Sequence, residues 1–99
     1  MSCKELTNLL KDAEKVAKDR PSDRLSVQNK IEAELDQNRK ALASLDAKYA
    51  AAVRKHASLP EPARGRAIFA ELNWQNDPRP ALRKEIACLE ALLARAQRP

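Results

Sequence analysis

Apolar side chains recur through the middle of the chain at Ile31, Leu35, Leu42, Leu45, Tyr49 and Ala52, and Asn38 and His56 fill the remaining slots of an alternating four-and-three spacing. That spacing is a heptad seam. The stretch around it has no proline or glycine and is rich in Ala, Lys, Glu, Gln, Arg and Leu, so it predicts one continuous helix over about 23–57. At ~1.5 Å per residue such a helix is roughly 50 Å long, longer than the helices of ordinary globular domains. Asn38 is expected to set register within the seam, and His56 to be a packed or capping residue.

The flanking segments carry the same kind of pattern. Ser2 and Glu5 have capping-box spacing, and Leu6, Leu9, Leu10, Ala13, Val16 and Ala17 follow at helical intervals, which predicts a short amphipathic helix over about 3–18. Arg20-Pro21 ends it, with Ser22 or Asp23 expected to cap the long helix. Pro60 and Pro62 stop the long helix near Ser58. Because proline is tolerated in a first helical turn, and Ser58 and Glu61 repeat the capping-box spacing, a third helix is expected over about 60–72, presenting Ile68, Phe69 and Leu72. Residues 73–78 read as a turn in which Asp77 caps a fourth helix over about 78–97, whose Leu82, Ile86, Leu89, Leu93 and Ala96 repeat the seam spacing.

These elements predict an all-α fold in a single helical domain spanning 1–99: an elongated antiparallel helical hairpin in which a broken return arm (60–72 and 78–97) runs back along the long helix. The first helix reaches only the N-terminal half of the rod. There it makes a three-helix section, and the C-terminal half is left with one neighbour.

Composition narrows the class. A hydrophobic fraction of 43% with 33% charged residues suits a folded helical chain and argues against disorder. No apolar run is long enough to span a membrane and no secretory signal is evident, so the cytoplasm is the default location and no membrane partner is expected. Cys3 and Cys88 are too few for a disulfide framework or, with the single His56, for a zinc site, and are expected to be free thiols. The net charge of +5 is unevenly spread: residues 1–20 carry five basic and four acidic side chains, residues 21–53 five of each, and residues from Arg54 onward nine and five. The second half is the cationic half, which favours an acidic partner.

Candidate chemistry follows from this layout. Ala43, Ala47, Ala50 and Ala51 form a surface of small residues in the half of the rod that has a single neighbour, where another helix could approach closely. Arg54, Lys55, Arg64 and Arg66 gather at the hairpin tip, placed for an acidic protein surface or for phosphates. Arg79, Arg83 and Lys84 make a weaker cluster. Trp74, on a polar turn, either plugs the gap between two helices or anchors a partner. No catalytic nucleophile and base, metal-ligand set, cofactor loop or nucleic-acid motif accompanies these residues, and none of the patterns names a family. The expectation is a non-enzymatic protein-protein interaction module, such as an adaptor, a chaperone-like factor or a small inhibitor. It would dock through the C-terminal part of the long helix and the basic tip, onto a second copy or a different protein with an acidic or helical surface. The alternative is a nucleic-acid-binding helical protein that uses the arginine clusters.

Overall fold

The computed structural model describes residues 1–98 and contains four helices: α1 (Cys3–Lys15), α2 (Pro21–Lys55), α3 (Ala63–Leu72) and α4 (Arg79–Ala96). The fold is the expected all-α hairpin, 63 Å long and 18 by 17 Å across. The extended shape follows from α2, against which each of the other three helices packs.

Helix boundaries follow local chemistry, with three departures from expectation. Ser2 caps α1 as anticipated, its Oγ accepting from the Glu5 N–H at 3.2 Å. At α2 neither Ser22 nor Asp23 is the cap. Pro21 occupies the first helical position, where its missing N–H forfeits no intrahelical bond and its φ already suits a helix, and Arg20 is the N-cap with no side-chain cap bond. Asp23 falls in the first turn instead, where a carboxylate complements the helix dipole. Helix α3 begins three residues later than expected, and the Ser58 capping box does not form. Pro60 and Pro62 each keep the preceding residue out of the helical region, so 60–62 make a turn and Glu61 pairs with Arg64 at 2.8 Å. Asn73 closes α3 in the left-handed conformation at φ 55°, and the Trp74 N–H reaches the Phe69 carbonyl at 3.2 Å. At α4 the N-cap is Pro78, not Asp77, and there is no side-chain cap bond; Asp77 lies one residue earlier and accepts from the Arg79 N–H at 3.0 Å.

The core lies at one end. Leu6, Leu10 and Ala13 of α1, Val27, Ile31 and Leu35 of α2, and Ile86, Leu89, Leu92 and Ala96 of α4 form one buried cluster, flanked by Leu9, Leu42 and Leu93. Helix α2 runs antiparallel to both partners, as its Arg39–Glu90 and Asp46–Arg79 pairs with α4 show. Helices α1 and α4 therefore run parallel, with Glu14 meeting Arg95 at 2.5 Å at one end. At the other end Cys3 and Cys88 are joined in a disulfide, and the Cys3 N–H donates to Glu85 Oε1. The expectation of two free thiols is thereby corrected. Parallel packing brings the start of α1 level with the middle of α4, a juxtaposition that the 85-residue separation in sequence hides.

Two further side chains behave differently from their sequence reading. Asn38 does not reach across the seam; its Nδ2 donates to the Glu34 carbonyl of its own helix at 2.7 Å. Arg24, one turn into α2, donates from Nη2 to the Arg95 carbonyl at 3.2 Å and also to the Arg98 carbonyl. A guanidinium thus satisfies the open C-terminal end of α4.

Candidate functional site

The C-terminal half of α2 has a different neighbourhood. Helix α1 and the core cluster end before it, and α3 is the helix that packs there, with Ala52 and Ile68 buried outside the main cluster. The contact is fixed by two polar knots.

The first knot surrounds Arg79. Its guanidinium binds Asp77 through Nη2 at 2.7 Å and Asp46 of α2 through Nη1 at 3.0 Å. It also lies 4.1 Å from the centroid of the Tyr49 ring and 5.5 Å from that of Trp74. The Trp74 and Tyr49 rings are near parallel, 6° apart in tilt with centroids 6.3 Å apart, and Phe69 leans on Trp74 from α3. Trp74 is therefore half-buried and plugs the gap between α3 and α4, the first of its two anticipated roles. The hydrogen bonds from Arg79 hold the Asp77 carboxyl below its ordinary range, and Asp77, followed by Asp46, stabilises the guanidinium charge in return.

The second knot closes the tip. His56, the C-cap of α2, places Nε2 2.9 Å from Glu71 Oε2, while Lys55 Nζ reaches Glu71 Oε1 at 2.8 Å. Lys55 first, and His56 after it, hold the Glu71 carboxyl below its ordinary value. This is the capping role anticipated for His56.

The candidate residues separate into three groups. Ala43, Ala47, Ala50 and Arg54 are all exposed, and their spacing of four, three and four sets them on one line along α2. Ala52 is two residues from both Ala50 and Arg54, about 200° round the helix, so this line faces away from α3. Ala51 instead edges a groove between α2 and α3 of about 480 Å³, lined with Lys48, Ala52, Lys55, Glu71 and Leu72. Among the basic side chains, Lys55, Arg64, Arg79 and Arg83 are held in ion pairs by Glu71, Glu61, Asp77 and Asp46. Arg54 and Arg66 are exposed and have no ion pair among the described residues, and the same is true of Lys84 and Lys48.

Sequence reasoning missed the acidic members of these knots. Asp46 sits beside the seam and Glu71 on a short helix, and neither carries a motif; only the fold brings them against Arg79 and Lys55. The groove was also missed, because its α3 wall comes from Glu71 and Leu72. Among the described residues there is no group of three or more His, Cys, Asp or Glu side chains able to hold a metal ion, and no helix is long and apolar enough to cross a membrane.

No family model matches the sequence, and neither a curated protein nor a solved structure matches it. The functional reading rests on the chain's own geometry.

Proposed function

We propose that this protein is a non-enzymatic protein-protein interaction module that docks through the C-terminal part of α2 and the adjoining basic tip. One observation carries the reading: where α1 no longer covers α2, Ala43, Ala47 and Ala50 are exposed in a row with Arg54, and Ala51 is exposed beside them at the edge of the groove. Small side chains let a partner backbone come close, and a cation at the end of the row orients an acidic partner. An adaptor, a chaperone-like factor or a small inhibitor is the kind of module this reading covers.

The nucleic-acid alternative draws on less. Phosphate contact needs available cations, and Lys55, Arg64, Arg79 and Arg83 are already engaged by carboxylates of the same chain. If phosphates were the partner, affinity for DNA or RNA would fall steeply with added salt. The Cys3–Cys88 bridge also supports an oxidising location over the cytoplasm expected from the sequence, since cytoplasmic thiols are kept reduced.

The test is light-scattering mass and partner capture with the oxidised protein and an Ala47→Glu, Ala50→Glu double variant. Both substitutions are on exposed helical positions, so circular dichroism is expected to be unchanged. Self-association or partner capture is expected to be lost. Retention of both, with helicity intact, rejects this face.

A further inference from the structure

In the groove between α2 and α3 we infer a second docking site, separate from the outward alanine row: it takes an acidic amphipathic helix of a different protein, which seats an apolar side chain over Ala51, Ala52 and Leu72 and a carboxylate on Lys48. The inference rests on the interaction-module reading but uses a different face of α2 from the outward alanine row.

Four of the groove residues belong to α2, in the order Lys48, Ala51, Ala52, Lys55. Their spacing of three, one and three sets two small apolar positions between two lysines on one side of the helix, and about 10 Å of helix separates the lysines. Across the groove, Leu72 supplies an apolar wall and Glu71 a carboxylate. That carboxylate is already shared between Lys55 and His56. Lys48 has no such partner among the described residues, so the groove offers an apolar floor with one unneutralised cation at its rim. A helix with apolar anchors at helical spacing and acidic neighbours complements both features.

A second copy of this chain fits poorly. Its corresponding surface carries the same lysines, and residues 48–79 at this end have six basic against three acidic side chains, so two such ends repel.

The test uses three labelled synthetic peptides: an 18-residue helix with leucines on one stripe and glutamates beside it, a scrambled peptide of the same composition, and a version with lysine in place of glutamate. Binding to the oxidised full chain is followed by fluorescence anisotropy and by amide chemical shifts. The acidic amphipathic peptide is expected to bind, moving the amides of 48–55 and 71–72. Lys48→Glu is expected to weaken it at least tenfold, as is Ala51→Leu, which fills the groove. Asn29→Glu, at an exposed position of α2 far from the groove, is expected to leave it unchanged. No binding, equal binding of the scrambled peptide, or indifference to both groove variants overturns the inference. So does self-association or oligonucleotide binding that Lys48→Glu abolishes, since either makes a different occupant the ligand. Loss of peptide binding with Ala47→Glu alone would instead return the partner to the outward row.

Discussion

The two halves of α2 are covered in different ways. From Val27 to Leu35 the helix is enclosed by α1 and α4 around Leu6, Leu10, Ile31 and Leu89, all fully buried, and a disulfide ties the two covering helices together. From Ala43 to Arg54 it meets α3, and the contact depends on ion pairs and stacked rings around Arg79 and Glu71. Apolar enclosure gives stability without leaving surface to spare. Polar knots fix geometry at the surface and leave the rest of the helix available. The closed half is where the chain gets its fold, and the open half is where we propose that a partner docks.

The largest way to break that contrast is to cut the bridge. Closing a loop of this length is worth about 4.5 kcal/mol in the chain-entropy account. The Cys3→Ser, Cys88→Ser double variant is therefore expected to lose a stability of that order in urea unfolding, with α1 the first element to gain hydrogen exchange. Equal stability of oxidised and reduced protein would show that the bridge does not form in solution.

Next in size is truncation of the core. Leu10 is fully buried, and Leu10→Ala is expected to cost about 3 kcal/mol. Leu45, half-buried in the open half, is expected to cost less than half as much on the same substitution. Similar losses at the two positions would mean that the halves are equally packed.

Acid gives the smallest effect and acts on the opposite half. The carboxyls of Glu71 and Asp77 lie below their ordinary values of 4.5 and 3.8 in the folded chain. A depressed folded-state value stabilises the fold fully above the ordinary value and loses that contribution as pH falls below it. Trp74 fluorescence, which reports on the Arg79 knot and its Asp77 carboxyl, is therefore expected to shift only below pH 3.8, with a smaller amplitude in Arg79→Lys. The main core contains no ionisable side chain, so far-ultraviolet helicity is expected to persist through that first change.

Much of this contrast was legible in the sequence. The seam from Ile31 to Ala52, the break at Pro60 and Pro62, and the short reach of the first helix together implied a closed and an open end. Local capping was legible where one side chain served one helix, as at Ser2. What could not be read were pairings set by how helices lie against one another. The Cys3–Cys88 bridge depends on α1 and α4 running parallel, and Arg24 reaches the end of α4 because α2 starts where α4 finishes. The groove beside Ala51 needed Glu71 and Leu72 from a helix that starts later than its prolines suggested.

The most direct measurement of this division is hydrogen-deuterium exchange along α2 in the oxidised protein. Amides of 27–38 are expected to exchange far more slowly than those of 43–54, with the boundary near Leu42, where the core cluster ends. Uniform protection from 27 to 54 would contradict it, because a C-terminal half as protected as the core would already be covered.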